Sequence, residues 1–194
     1  MTPGATMKFK KSTLKRSGGF TLIELLATTA ILSILMSISI PAFSRWAPGY
    51  KLRGATRDLY SDFAVARMTA VNLKGECAVV FNTSTNQYRI WACGPNKIFD
   101  NASGDDVLVK TVDLSHYGKG IRYGSGRAAS PIGGTFGDGI TFQSNRLVFD
   151  SRGTVKSATG GYAYLQNHMN ASYAVGVIGS GVILLKRWTG TKWQ

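Results

Sequence analysis

Glu24 is the only charged side chain in the apolar run FTLIELLATTAILSILMSISIPAF, which occupies residues 20–43. A carboxylate this close to the start of a membrane helix costs a few kcal/mol, so an ionisable residue there indicates a function by default. A buried carboxylate is tolerated when a cation neutralises it and is unfavourable without one. Glu24 is therefore a candidate functional residue.

Cys77 and Cys93 are the two cysteines of the chain. Residues 77–82 and 87–93 flank Asn-Thr-Ser-Thr-Asn and predict a β-hairpin. With the turn centred on Thr85, Cys77 faces Cys93 on the same side of the hairpin. Outside the cytoplasm this arrangement favours a disulfide, which would close a ~15-residue loop and contribute up to ~3 kcal/mol. Two buried thiols are the alternative, because a hairpin register can slip by one residue.

No group of side chains in the sequence resembles a catalytic centre. His116 and His168 are far apart and have no acidic or cysteine neighbour at ligand spacing, which predicts surface or loop residues. Asp105, Asp106 and Asp138 lie in glycine-containing loops that could bind Ca²⁺. Acidic pairs of this kind are usually solvated, and the spacing of an EF-hand is absent. We therefore expect no enzyme activity, no metal site and no cofactor.

The C-terminal tail mixes basic and aromatic residues, namely Lys186, Arg187, Trp188, Lys192 and Trp193. This composition is typical of proteins that bind single-stranded nucleic acid or the phosphate backbone. The formal net charge of +13 points to the same class of partner, provided that the charge belongs to the folded part. A final strand that buries Val182 and Leu184 and ends in a basic hook is the alternative.

The elements that position these residues begin with a membrane segment. Residues 1–19 contain five basic residues and no acid, and the 21 residues of 20–40 form enough helix, at ~1.5 Å per residue, to cross a ~30 Å hydrocarbon core. The basic excess predicts a cytoplasmic N-terminus and an external remainder. A secretory signal, the alternative, would have a shorter apolar region followed by small residues. Here Gly18 and Gly19 precede the apolar region.

The run Ser-Gly-Gly-Phe-Thr-Leu-Ile-Glu-Leu-Leu of residues 17–26 resembles the class III signal of type IV pilins and type II secretion pseudopilins. The resemblance implies that a prepilin peptidase cuts between Gly19 and Phe20 and methylates the new amine of Phe20. It also implies that Glu24 meets the amine of a neighbouring subunit during filament assembly. Pro41 lies 21 residues after Phe20, where pilins commonly carry a helix-bending proline.

Residues 50–74 predict an amphipathic helix, since one apolar stripe is spaced by three and four, at Leu52, Ala55, Leu59, Phe63, Ala66, Ala70 and Leu73. Pro48-Gly49 predicts a bend or short break before this helix, and Gly75 a stop. Short β-branched and aromatic runs between turn residues follow and predict further strands at 107–114, 140–142, 146–150, 172–178 and 182–188. Residues 124–139 are too rich in glycine for a packed element.

These elements predict an α+β, pilin-like fold, in which a long N-terminal helix packs on an antiparallel β sandwich. The expected layout is a leader peptide at 1–19, a transmembrane and filament-core helix at 20–43, its amphipathic continuation at 44–75, and a globular periplasmic head at 76–194. Removal of the leader lowers the net charge by five, to +8. Arg45, Lys51 and Arg53 then lie beside the membrane, where they can serve lipid headgroups as well as DNA.

Residues 140–155, ITFQSNRLVFDSRGTV, resemble the F-x-x-x-G region of the GspH/FimT-type minor pseudopilins, and residues 179–194 resemble the closing strand of that group. The resemblance implies a structural subunit of a type IV pilus or type II secretion pseudopilus. A DNA-binding minor pilin of natural transformation is one alternative, although Gly181-Val182-Ile183-Leu184 lacks the arginines of the DNA-binding tail. A membrane-anchored periplasmic sensor domain is the other.

The expected location is the inner membrane, with a single pass, and a periplasmic or surface filament after assembly. The expected partners are other pilin or pseudopilin subunits, the prepilin peptidase, an inner-membrane assembly platform and membrane lipid. The alternative of a DNA-binding minor pilin adds DNA to these partners.

Overall fold

The computed structural model describes residues 18–100, 104–118 and 120–194, so most of the expected leader lies outside the described residues. The chain divides into two compact units, Met1–Ala42 and Phe43–Gln194. Helix α1, Leu22–Leu73, contributes to both units. Thr21 caps its N-terminus: its carbonyl oxygen accepts a hydrogen bond from Leu25 N at 3.1 Å, and its side-chain Oγ1 accepts one from Glu24 N at 3.2 Å.

The first part of α1 has the composition of a membrane segment. Every large apolar side chain from Leu22 to Ile40 is more than half exposed. Among the described residues, α1 is the one helix whose length and composition suffice to cross a membrane. This supports the prediction of a membrane segment made from the sequence.

Hydroxyl side chains in this segment are satisfied inside the helix. Ser33 Oγ donates to the carbonyl of Thr29, Ser37 Oγ to that of Ser33 and Ser39 Oγ to that of Leu35, each at 2.8 Å. A hydroxyl that bonds the preceding turn needs no water, which makes these residues compatible with lipid. The serines therefore do not argue against a membrane location.

The short break that was one expectation at Pro48-Gly49 is wrong, because α1 continues through Pro41 and Pro48 without interruption; the bend that was the other stays a prediction. A proline inside a helix removes one hydrogen bond. Pro48 is buried, and Leu52 and Ala55 follow it into the core. Burial of this face stabilises the helix by more than the lost bond costs, since one fully buried leucine contributes about 1.5–3 kcal/mol.

The predicted apolar stripe of α1 is confirmed from Leu52 to Ala70, whose members are at most 1% exposed. Leu73 is an exception at 40% exposure, because α1 ends there. Lys74 adopts a left-handed conformation with φ 49°, and Gly75 N donates to the carbonyl of Ala70 at 3.1 Å. This pattern is a Schellman motif, in which the residue after the helix takes the left-handed conformation.

The head consists of two antiparallel four-stranded sheets. The first has the order β3-β2-β1-β5 and contains β1 Cys77–Asn82, β2 Gln87–Ala92, β3 Val107–Asp113 and β5 Arg146–Phe149. The second has the order β4-β6-β7-β8 and contains β4 Arg122–Tyr123, β6 Gly161–Gln166, β7 Ser172–Val177 and β8 Ile183–Arg187. Side chains of α1 and of both sheets share one hydrophobic core. The predicted α+β class is confirmed.

Two strand predictions need correction. Residues 140–142 form no strand and contribute a single bridge, Ile140 to Ala163. Strands β4 and β6 were not predicted: β4 has only two residues, and β6 follows Gly160 and lacks valine, isoleucine and threonine. The alternation of Tyr162 and Tyr164 was the available signal for β6. The remaining expected strands end within one residue of β3, β5, β7 and β8.

The predicted hairpin register is wrong by one residue. Cys77 pairs with Ala92 and Asn82 with Gln87, so the loop between β1 and β2 has four residues. Asn86 closes the loop with φ 53°, a left-handed conformation that asparagine tolerates better than most residues. Because the loop has four residues, Cys77 pairs with Ala92, and Cys93 lies one residue beyond the end of β2.

Candidate functional site

The peptide bond expected to be cleaved lies in an exposed, non-helical segment. Gly18, Gly19 and Phe20 are all exposed and precede α1, and the Phe20 side chain is 81% exposed. Nothing lies within 4 Å of the space that a side chain would fill at either glycine. An exposed segment outside regular structure is the kind of site that a protease can bind.

Glu24 lies in the first turn of α1, at the third helical position. Within the described residues, its carboxylate is exposed and has no hydrogen-bond or ion-pair partner. The positive end of the helix dipole favours a negative charge at this position. A carboxylate in an apolar helix that has no partner among residues 18–100, 104–118 and 120–194 is available to a cation from another chain.

The turn after β5 docks on α1. Phe149 is fully buried, and Gly153 accepts a hydrogen bond on its carbonyl from Arg67 Nε at 2.9 Å. Gly153 has φ +74°, and a Cβ there would approach Arg67 Nε to 2.9 Å. A Cβ at Gly181 would overlap the Gly153 carbonyl oxygen. Phe149 and Gly153 are the Phe and Gly of the F-x-x-x-G run, so that run forms the contact between this turn and α1.

Asp150 shapes the same turn. Its Oδ1 accepts hydrogen bonds from Arg152 N at 2.9 Å and Thr154 N at 3.0 Å, and its Oδ2 accepts one from Thr154 Oγ1 at 2.8 Å. Desolvation raises the pKa of Asp150, but hydrogen bonds from Thr154 and Arg152 outweigh it and lower that pKa to about 2. The charged carboxylate therefore stabilises the turn.

A second contact joins α1 to the first sheet. Asp62 is 5% exposed and accepts hydrogen bonds from Tyr88 Oη at 2.7 Å and from Lys110 Nζ at 2.7 and 2.8 Å. Burial, and then the hydrogen bond to Asp62, raise the pKa of Tyr88. One turn earlier Asp58, which is exposed, accepts a hydrogen bond from Tyr117 Oη at 2.6 Å. Sequence reasoning treated these carboxylates as off the stripe and missed the tyrosines that meet them.

Both cysteines are buried thiols in the structure. Burial, and secondly the nearby Cys93, raise the pKa of Cys77 to about 12. Gly75 lies directly against Cys93, because a Cβ there would overlap the Sγ atom. The disulfide between Cys77 and Cys93 stays a prediction.

The aromatic residues of the C-terminal tail are used inside the head. Trp188 is 9% exposed, and its ring centroid lies 5.4 Å from that of Trp193. Trp193 also packs on Tyr164, with ring centroids 5.4 Å apart, and its Nε1 donates to the carbonyl of Ser130 at 2.7 Å. Trp193 therefore holds the loop that contains Ser130, and Trp188 is buried against Trp193.

The basic residues of the tail do not form one surface. Lys186 and Arg187 are successive residues of β8, so their side chains point to opposite faces of the sheet. Lys192 lies beyond the strand and is exposed. Of the five residues expected to bind DNA, none lies in an arrangement that favours this role over a structural one. DNA binding stays a prediction without support from these contacts.

Acidic residues come together at one place in the described residues. Carboxylate oxygens of Asp100, Asp105 and Asp106 lie within 4.8 Å of one another. Asp138 is elsewhere and accepts hydrogen bonds from Thr83 Oγ1 at 3.0 Å and Asn145 Nδ2 at 2.7 Å. No second group of His, Cys, Asp or Glu with metal-binding spacing occurs in the part of the chain that the structure describes.

Comparisons with known proteins match two parts of the chain. Residues 14–40 match the prokaryotic N-terminal methylation motif, and residues 55–182 match the family described as type II transport protein GspH. No curated protein sequence matches the chain at a significant level.

Two solved structures are similar to this chain. The crystal structure of the type IV minor pilin FimU of Pseudomonas aeruginosa has a TM-score of 0.51 at 12% identity and covers 77% of this chain and 96% of that chain. The minor pseudopilin EpsH of the Vibrio cholerae type 2 secretion system has a TM-score of 0.47 at 11% identity, over 71% of this chain and 97% of that chain. The FimU likeness confirms the pilin-like architecture.

Proposed function

The chain belongs to the GspH family of type II transport proteins, and we propose that it works as a minor pilin or pseudopilin, a membrane-anchored subunit of a short filament. Its work is assembly with other pilin subunits. In this proposal residues 1–19 are a leader peptide, 20–43 the membrane and filament-core helix, 44–75 the continuation of that helix and 76–194 a periplasmic head. The basic leader places the N-terminus in the cytoplasm.

The observation that carries the proposal is the pairing of an exposed Gly19-Phe20 bond with Glu24 in the first turn of an apolar helix. The match to the N-terminal methylation motif covers both features. Cleavage by the prepilin peptidase would create a new amine on Phe20, which is then methylated. An amine of a neighbouring subunit would neutralise Glu24, because a carboxylate in an apolar environment needs a cation. Pro41 lies in the same helix and would pack in the filament core.

The assembly platform in the inner membrane is the remaining expected partner, since the membrane segment delivers the subunit there. Contacts at Asp62 and at Arg67 join the second part of α1 to β2 and to the turn after β5. The filament forms in the periplasm or at the cell surface.

Substitution of Gly19 by Asp tests the proposal in cells that contain a prepilin peptidase. The original chain is expected to yield a product that begins at Phe20 with a methylated amine, whereas Gly19→Asp keeps its leader. Gly18→Ala is the matched control, since both glycines are exposed with open space around them. We expect this control to be cleaved. N-terminal sequencing and intact mass provide the measurements, and a Phe20-cleaved product from Gly19→Asp would refute the assignment.

A further inference from the structure

Three aromatic side chains form an exposed stripe on α1 at the start of the second unit. Phe43, Trp46 and Tyr50 are 66%, 61% and 63% exposed. The ring centroids of Phe43 and Trp46 are 6.3 Å apart, and those of Trp46 and Tyr50 are 5.1 Å apart in a stacked arrangement. Their spacing of three and four residues places them on one side of the helix. The rings contact each other and leave most of their surface uncovered.

The stripe lies at a particular distance along the chain from the apolar run. Phe43, Trp46 and Tyr50 follow Ile40 by three, six and ten residues, which at ~1.5 Å per residue corresponds to roughly 5, 9 and 15 Å of helix. The headgroup region on each side of a ~30 Å hydrocarbon core is about 5–8 Å thick. If Ile40 marks the end of the hydrocarbon core, Phe43 falls within the headgroup region, Trp46 at its outer edge and Tyr50 beyond it.

The charges around the stripe complement lipid phosphates. Residues 43–57 contain four basic side chains, those of Arg45, Lys51, Arg53 and Arg57, and no acidic one. All four are exposed. A basic residue near an anionic membrane surface contributes about 1 kcal/mol of attraction, which falls off within a Debye length, so Arg45 contributes most of the four. Tryptophan and tyrosine favour the same region, because their rings are apolar and their polar atoms reach water.

We propose that Phe43 and Trp46, with Arg45 between them, form a lipid-interface anchor that binds the headgroup region of the outer leaflet of the inner membrane, and that Tyr50 stacks on Trp46 from the water side. The anchor fixes the depth of the membrane helix before the subunit enters a filament. This inference rests on the membrane anchorage in the proposed function and adds a binding surface to it. The occupant is lipid, and the site is the outer boundary of the membrane segment.

Fluorescence quenching of Trp46 by brominated lipids tests the proposal on the full chain in phosphatidylcholine–phosphatidylglycerol vesicles. The signal of Trp46 is the difference between the original protein and Trp46→Phe, which keeps an aromatic ring at an exposed position. Trp91→Phe is the matched control, because it removes the same fluorophore from strand β2 of the head. Flotation of the vesicles establishes that the chain is inserted.

We expect bromines near the headgroups to quench Trp46 about twofold more than bromines near the chain ends, because the ring lies at the interface. The Trp91 signal should show no such dependence on depth. Equal quenching at both depths, no quenching, or stronger quenching by the deep bromines would overturn the inference. So would quenching of Trp46 that falls as the protein-to-lipid ratio rises, since a second copy of the chain would then cover the stripe.

Failure of the proposed function and failure of the lipid-interface anchor can be distinguished. A chain that does not float with the vesicles refutes both the membrane anchorage of the proposed function and this inference. A chain that floats while its Trp46 stays unquenched refutes the lipid-interface anchor alone, and cleavage at Gly19 can still be measured independently in cells.

Discussion

Replacement of Asp62 by alanine is expected to weaken the attachment of α1 to the first sheet. Asp62 is 5% exposed and Tyr88 is 1% exposed, and the Tyr88 hydroxyl donates to the Asp62 carboxylate at 2.7 Å. The alanine variant leaves this hydroxyl buried without its acceptor. It also separates Lys110 from its partner, at a smaller cost, because the Lys110 side chain is 47% exposed.

The expected loss is about 2–3 kcal/mol of unfolding free energy. A hydrogen bond to a charged group contributes about 1.5–3 kcal/mol when its buried partner is left unsatisfied. The half-exposed ion pair with Lys110 adds about 0.5 kcal/mol, since solvent screens it. The Tyr88→Phe variant removes the donor and keeps the ion pair, so its expected loss is smaller, about 1–1.5 kcal/mol.

Urea unfolding of the compact unit, residues 43–194, measures these losses. Asp58→Ala is the matched control, because Asp58 lies one turn earlier on α1 and also accepts a hydrogen bond from a tyrosine, Tyr117, but is exposed. Its expected loss is about 0.5 kcal/mol, as for other exposed polar contacts. If Asp62→Ala costs no more than Asp58→Ala, burial of the carboxylate does not determine the strength of this attachment, and the reasoning is refuted.

Two further predictions concern the turn after β5. Gly153→Ala should lower the unfolding free energy by about 2–3 kcal/mol, since it adds crowding against α1 to the strain of a positive φ. The control Gly133→Ala, with φ +73° and open space around it, should lower it by about 1 kcal/mol. Equal losses of stability in thermal unfolding would exclude a contribution from the contact between Gly153 and α1. Desolvation raises the pKa of Asp150, but hydrogen bonds from Thr154 and Arg152 outweigh it and lower that pKa to about 2. The charged carboxylate therefore stabilises the fold above its ordinary pKa of about 3.9, and this stabilisation is lost as the pH falls toward 2. The midpoint of thermal unfolding should fall less steeply between pH 4 and 2 in Asp150→Asn, and identical slopes would contradict this.

The apolar run, the amphipathic stripe and most strands could be predicted because each depends on a local pattern. The stripe from Leu52 to Ala70 follows from helical spacing alone, and the core confirms it. The continuation of α1 through Pro48 could not be read in the same way, because the burial of that residue depends on the head. The register of β1 and β2 depended on the conformation of Asn86, which decides between loops of four and five residues.

The candidate site shows the same division between pattern and tertiary contact. Glu24 stands out in the sequence as the only charged residue of the apolar run, and the resemblance of residues 17–26 to the class III signal marks the Gly19-Phe20 bond; the roles of both stay predictions. Composition was insufficient for the tail, since it shows that Trp188 and Trp193 are aromatic and near basic residues but not that they pack on each other. Residues that meet across the fold have no signature in a single sequence.

In the proposed function, the position of Glu24 within the first turn of α1 would favour assembly. The helix begins at Leu22, two residues after Phe20, so a new amine on Phe20 would lie beside the positive end of the helix dipole. A cation at that end is disfavoured by about 0.3–1 kcal/mol in water, and by more in an apolar medium where charges are poorly screened. Glu24 reduces this repulsion, because a carboxylate in the first turn opposes the dipole. In a filament the same carboxylate can accept the amine of a neighbouring chain, and charge neutralisation then favours the assembled state over the isolated subunit.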